Sequence, residues 1–267
     1  MVELGKTGEK IRVLGQGTWG LNRRNSEPWK NSLRKGIELG MTHIDTAEVY
    51  GFGAAEETVG EVVAEYDRDD LFITTKLFPM HLGYKGFKKA AYNSLRRLGL
   101  KSVDLYLIHW PIPFSIKKLM KVLEELVDEG KTRYIGVSNY SVEQFKKAQS
   151  HLKKYELVNN QLKAHLQHQV HINESLPFYQ KEGVIMTAYS PLGHSGFTNL
   201  KGELRERLEK IAKSHNATIQ QIAIAWLISH ENVIAIPKAL QIKHVEANAQ
   251  AAEIKLKKEE IDLLSNK

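Results

Sequence analysis

The sequence predicts an α/β fold, a (β/α)8 barrel of the TIM type, on three observations. Short apolar runs alternate with segments of helical periodicity along the chain. The polar residues that close successive runs, Asp45, Lys76, His109 and Ser138, recur roughly every 30 residues, the length of one βα unit. The chain has 267 residues, near the roughly 250 that eight such units occupy. No repeat or linker divides it, so residues 1–267 are expected to form one domain.

The elements follow in order. Residues 2–14 carry turn signals at Gly5 and Gly8 between short apolar stretches, which predicts an N-terminal β-hairpin. Residues 13–18 form the first barrel strand. Its crowded glycines point to close backbone approach, and its G-x-G is a weak phosphate-loop signal because no third glycine or immediate helix follows. The other strands are expected at 42–45, 71–76, 103–109, 134–137, 156–161, 184–189 and 233–236. Helices are expected between them at 32–39, 56–65, 87–98, 116–128, 142–150 and 174–181. The long interval after the seventh strand holds two helices, 204–214 and 219–229, and a last helix spans 257–265.

Composition narrows the function. Hydrophobic residues make up 42% of the chain, enough for a large core, and no apolar run is long enough to span a membrane. The first residues lack the apolar stretch of a signal peptide and cysteine is absent, so a cytoplasmic protein without disulfides is expected. The net charge of +7 comes from lysine pairs mixed with acids, not from a basic stripe interleaved with aromatics, which argues against nucleic acid as a partner. A small-molecule substrate, no membrane partner, and a monomer or weak homo-oligomer are expected. His165, His168 and His171 have a spacing that invites a metal, but no acid lies close before Glu174; they are read as loop or helix-start histidines, with no metal site.

In such barrels the carboxyl ends of the strands build the active site. Here those ends collect Asp45, Lys76, His109, Ser138 with Asn139, Gln161 and Tyr189, and Tyr50 follows Asp45 on the adjoining loop. Any one of them could be a strand-end cap, and His109 alone reads as a satisfied core histidine. As a set they suggest chemistry. A lysine in the barrel mouth needs a counter-charge, which Asp45 can provide. A charged Lys76 should lower the Tyr50 phenol from its usual value of about 10 and ready it as a general acid. His109 can hydrogen-bond a substrate oxygen or relay the proton. These groups polarise a carbonyl and protonate the oxygen, but none attacks the carbon. A hydride from a nicotinamide fits, with Tyr189 stacking on the ring, Ser138, Asn139 and Gln161 holding its carboxamide, and Lys238 meeting a phosphate.

The motifs resemble the aldo-keto reductase family over almost the whole chain. They are Gly17-Thr18-Trp19, His43-Ile44-Asp45-Thr46-Ala47 with Tyr50-Gly51, Thr75-Lys76, residues 104–111 (D-L-Y-L-I-H-W-P), residues 135–139 (I-G-V-S-N), Asn160-Gln161, residues 188–193 (A-Y-S-P-L-G) and Ile236-Pro237-Lys238. The resemblance implies NADPH-dependent reduction of aldehydes and ketones to alcohols, reversible and broad in substrate. It implies a catalytic tetrad of Asp45, Tyr50, Lys76 and His109, with Tyr50 as proton donor. The dinucleotide would lie extended across the barrel mouth without a Rossmann fold, along Thr18, Trp19 and Asp45, under Ser190 and Leu192, and along Ile236, Pro237, Lys238, Ala239, His244 and Asn248. Trp19, Tyr50, Phe78, His109 and Trp110 would wall the substrate pocket.

Some positions depart from the family pattern. Lys238 matches the lysine that contacts the 2′-phosphate of NADP, but Ala239 stands where serine or threonine is usual, His244 where an arginine is, and Ala247 where a glutamate is. NADP is the expected cofactor and NAD stays possible. The connection at 112–115 is short and the sequence stops just after its last helix, so an open site of weak selectivity is expected. Two other readings stand beside the reductase: a Schiff-base aldolase using Lys76, and a cofactor-bound regulatory subunit.

Overall fold

The computed structural model describes residues 1–79, 83–112, 116–193, 196–197 and 199–265. An antiparallel hairpin, β1 (Val2–Glu3) and β2 (Lys10–Ile11), precedes an eight-stranded parallel sheet. The sheet's strands are β3 (Gln16–Gly17), β4 (His43–Asp45), β5 (Phe72–Leu77), β6 (Val103–Ile108), β7 (Thr132–Ser138), β8 (Leu157–Lys163), β9 (Ile185–Tyr189) and β10 (Val233–Ile236). They neighbour one another in chain order. A parallel bridge between Leu14 and Ala235 brings the two edges together, and Gly17 N–H donates to Pro237 O at 3.0 Å. The expected barrel is therefore the observed one.

Helices α1 (Ser26–Glu38), α2 (Ala54–Val63), α3 (Tyr84–Leu98), α4 (Ile116–Asp128), α5 (Val142–Gln149) and α6 (Leu176–Glu182) alternate with the strands. Then α7 (Glu203–Ser214) and α8 (Ile219–Ile228) lie between β9 and β10, and α9 (Ile242–Ala251) and α10 (Lys258–Leu264) follow β10. Local chemistry sets several boundaries. Ser141 and Gln144 form a capping box at the start of α5, Thr218 and Gln221 do so at α8, and Gly99 closes α3 in the left-handed conformation. Helix α4 shows the apolar stripe most plainly: Leu119, Met120, Val122, Leu123 and Leu126 are all buried.

A second apolar cluster fills the barrel itself. Phe72, Leu105, Leu107, Ile185 and Ile234 meet Leu4 and Ile11 of the hairpin, so the hairpin plugs the amino-terminal end. Asp104 anchors that end. Its buried carboxylate accepts from Arg68, Arg133 and the Ile73 N–H, and Arg133 also pairs with Glu9 of the hairpin. With one end sealed, the opposite end is the open mouth.

Two differences from expectation stand out. The first strand is regular over Gln16–Gly17, shorter than 13–18, with Leu14 held to the last strand by a single bridge; backbone packs directly on Gly17, where a Cβ would lie 2.7 Å from Ile236 O. Helix α9 was not expected, since it buries only Val245, Asn248 and Ala251, two of them small or polar, and shows little apolar periodicity. His165 and His168, read as loop or helix-start histidines, face each other across a tight turn closed by an antiparallel bridge. The short connection at 112–115 falls mostly outside the described residues. Among the described residues, no helix is long and apolar enough to cross a membrane.

Candidate active site

The site is built on two adjacent strand ends. In the parallel register Asp45 of β4 faces Thr74, which places Lys76 of β5 one inward-facing position higher. Lys76 is fully buried. Its ammonium donates to Asp45 Oδ1 at 2.5 Å and to Thr46 O at 2.8 Å, and it lies 3.5 Å from the Tyr50 hydroxyl. Burial pulls the Lys76 ammonium down, but Asp45 and Tyr50 outweigh it and leave the value above the ordinary one. Lys76 is a cation held for use inside the protein.

Tyr50 sits in the turn between β4 and α2, with the Lys76 ammonium 5.0 Å from its ring centre. The expected lowering of its phenol is not what the structure gives. Burial is the larger influence and pushes the phenol up; Lys76 draws it down only in part, and Asp45 raises it further. Tyr50 therefore keeps its proton throughout the neutral range.

His109 follows β6 and is tied down by its own N–H to Leu77 O at 2.9 Å. Its ring meets Tyr50 edge-on at 5.7 Å and Phe78 at 6.0 Å, and it stacks with Trp110 at 6.5 Å. Burial, helped by Lys76, lowers its value to about 3, so the ring is neutral. Among the described residues its buried Nδ1 has no hydrogen-bond partner, which leaves Nε2 as the ring nitrogen available to a ligand. Thus Asp45, Tyr50, Lys76 and His109 converge, with Phe78 and Trp110 beside them. Trp19 stands exposed on the loop after β3.

The expected carboxamide-binding residues form a connected ring. Ser138 Oγ donates to Gln161 O at 2.9 Å, and Asn139 Nδ2 donates to Ser138 Oγ and His109 O. Tyr189 donates its hydroxyl to Asn139 Oδ1 at 2.9 Å, which fixes the orientation of its half-buried ring. Gln161 Nε2 donates to Asp45 Oδ2 at 2.8 Å, so Gln161 also braces the tetrad. Asn139 and Ser190 both have positive φ, and Gly193 N–H closes a turn onto Ser190 O that carries Leu192 against the core.

The last group is more dispersed. Thr18 is wholly buried and bonds the Asp45 carbonyl through its hydroxyl and its N–H, acting as a strut beneath the site. Ile236 and Pro237 are buried, and the Ala239 carbonyl accepts from Ser32 Oγ on α1. Lys238 lays its ammonium 4.3 Å over the Trp19 ring, and burial draws it below the usual lysine value. No ion pair among the described residues includes it. His244 is exposed and Asn248 buried on successive turns of α9. A half-buried aromatic face, a ring of amides and an unpaired ammonium at one mouth suit a nicotinamide dinucleotide, whose parts are a flat ring, a carboxamide and phosphates. By contrast, a cavity of about 620 Å³ on the amino-terminal side, lined by Leu14, Met41 and Ile228 among others, touches none of these residues.

Two site residues escaped the sequence reading. The Thr46 carbonyl receives Lys76, and the Glu48 carboxylate receives the Phe78 N–H. The first is backbone and the second a loop acid with no motif of its own, so neither left a signal.

Comparison with known proteins shows the family and the fold. A model of the Aldo/keto reductase family matches residues 13–267. The methylglyoxal reductase YeaE of Escherichia coli K12 is 36% identical over 258 residues, covering 95% of this chain and 90% of that protein. The crystal structure of the thermostable aldo-keto reductase Tm1743 with the inhibitor epalrestat superposes with a TM-score of 0.92 at 42% identity, covering 98% of this chain and 97% of that one. The Klebsiella pneumoniae aldo/keto reductase in complex with NADP and acetate superposes at 0.89 and 34% identity, covering 98% and 93%.

Proposed function

Because the chain belongs to the aldo/keto reductase family, we propose that it reduces small aldehydes and ketones with NADPH and that Tyr50 supplies the proton. It is an NAD(P)H-dependent oxidoreductase. One observation carries the finer reading: a fully buried Lys76, kept charged by Asp45, stands beside a protonated Tyr50 and a neutral His109 at the open end of the barrel.

The cofactor, when bound, supplies a hydride to the carbonyl carbon. The chain's own residues handle the oxygen. His109 Nε2 donates a hydrogen bond that orients the carbonyl. Tyr50 passes its hydroxyl proton to the oxygen as negative charge builds there. The phenolate left behind is stabilised by the Lys76 ammonium, and Asp45 with Gln161 holds that ammonium in place. The raised phenol value suits this role, because the acid is always loaded and the strongly basic alkoxide drives the transfer.

The cofactor residues follow from the same arrangement. Tyr189 offers its ring face to the nicotinamide, Asn139 and Gln161 offer their amides to the carboxamide, and Lys238 leaves Trp19 to meet the 2′-phosphate. The Klebsiella relative's complex with NADP supports NADPH over NADH, and the name of the E. coli relative points to 2-oxoaldehydes as substrates. The aldolase reading is not favoured. Lys76 donates hydrogen bonds to Asp45 Oδ1 and Thr46 O and is held charged, whereas a Schiff base needs a free neutral amine.

The test is a panel of 2-oxoaldehydes, simple aldehydes and ketones assayed for oxidation of NADPH and of NADH, with borohydride trapping in parallel. NADPH-dependent turnover without a covalent adduct supports the reading. An adduct at Lys76, or preference for NADH throughout, contradicts it.

A further inference from the structure

Phe52 lies two residues beyond Tyr50 and is fully exposed. Its backbone is left-handed (φ 56°, ψ 41°), and the residues on either side, Gly51 and Gly53, are left-handed as well (φ 56° and 92°). For a bulky aromatic this conformation is strained. A wholly exposed ring also adds nothing to folding by burial. Glycine would serve the backbone better and the fold equally well. The ring at this position answers to something outside the folded chain.

Its surroundings indicate what. Strands β3, β4, β5 and β6 are consecutive neighbours in the sheet, and the segment following each carries an aromatic side chain: Trp19, Phe52, Phe78 and Trp110. Trp19 is 54% exposed and Trp110 46%, and Val49, three residues before Phe52 on the same loop, is exposed as well. Tyr50 and His109 stand at the foot of this arc. An apolar arc beside a polar reacting centre fits a substrate with one polar end and one apolar body.

Resting on the carbonyl-reductase reading, we propose that Phe52 is a specificity-determining residue that packs on the apolar substituent of the substrate and selects aryl and bulky alkyl carbonyl compounds. The flanking glycines let the ring swing, since both populate either sign of φ without steric penalty. Phe52 then completes the arc between Trp19 and Phe78, while the carbonyl lies against Tyr50 and His109.

The test compares phenylglyoxal with methylglyoxal, which share the reacting group and differ in the substituent. Replacing Phe52 should lower the phenylglyoxal-to-methylglyoxal ratio of kcat/KM by about fivefold, the size of an aromatic contact, with the loss falling on the KM of phenylglyoxal. Both Phe52→Ala and Phe52→Gly should show it, and Phe52→Tyr should keep the ratio. Phe52→Gly relieves the backbone, so its Tm should equal or exceed that of the parent, which guards against misfolding as the cause. A ratio unchanged in Phe52→Gly overturns the assignment while leaving the reductase reading intact. If the unaltered enzyme reduces neither compound with NADPH, the reductase reading fails and this assignment fails with it.

Discussion

The Glu48 carboxylate accepts the backbone N–H of Phe78, and Glu48 N–H in turn donates to Lys76 O at 3.3 Å. These two bonds join the loop that carries Tyr50 to the strand end that carries Lys76 and Phe78. Glu48 is thereby a positioning residue. Glu48→Ala should raise KM for carbonyl substrates by about tenfold, the order expected for losing a charge-assisted hydrogen bond, with a smaller effect on kcat. Glu48→Gln retains an acceptor oxygen and should recover most of the loss. Steady-state kinetics on the three proteins checks this; equal KM values would contradict it.

Asp45 and Lys76 are a buried ion pair, so removing one partner strands the other. Asp45→Ala should destabilise the fold by roughly 3–5 kcal/mol. The double variant Asp45→Ala with Lys76→Met should be less destabilised than the single one, because no buried charge remains. Urea denaturation of both decides the matter.

Two neutral histidines make stability depend on pH. His43 is lowered to about 4 by burial and His109 to about 3, from an ordinary 6.5. Below 6.5 the unfolded chain binds protons that the folded one refuses. Stability from these groups therefore rises as pH rises from about 4 to 6.5 and is level above, with each unit worth about 1.4 kcal/mol per histidine. Urea midpoints at either end of that window should differ in this sense. The rate should behave otherwise: with His109 neutral and Tyr50 protonated across the neutral range, kcat/KM for reduction should be flat there.

On the proposed reading, Lys238 meets the 2′-phosphate of the cofactor. Lys238→Ala should weaken NADPH binding by about tenfold, in line with loss of one charge-assisted contact, and NADH binding much less. Quenching of tryptophan fluorescence reads both affinities, and Trp19 lies under the Lys238 ammonium to report it. Equal losses for the two cofactors would contradict a role at the 2′-phosphate.

Much of this architecture was legible because it is local. Strand ends such as Asp45, Lys76 and His109 declare themselves as polar residues closing apolar runs, and their even spacing implies the barrel that gathers them. What was not legible depends on side-chain direction between distant segments. Thr18 was expected along the cofactor, yet it turns inward to bond Asp45 across 27 residues. Gln161 reaches Asp45 across 116 residues and so serves the tetrad as well as the mouth. The direction of the Tyr50 shift was misjudged for the same reason: a charged neighbour can be read from sequence, but the depth of burial opposing it cannot. Helix α9 was missed because Asn248 and Ala251 replace the large apolar residues that would mark its inner face.

The central claim is that Tyr50 donates the proton, and Tyr50→Phe tests it most directly. The substitution removes one oxygen and leaves the ring over Lys76. Reduction of methylglyoxal by NADPH should fall by at least about a hundredfold, the lower end for loss of a general acid, while NADPH binding measured by fluorescence stays near its original value. Turnover by Tyr50→Phe within a few-fold of the parent enzyme would contradict the account.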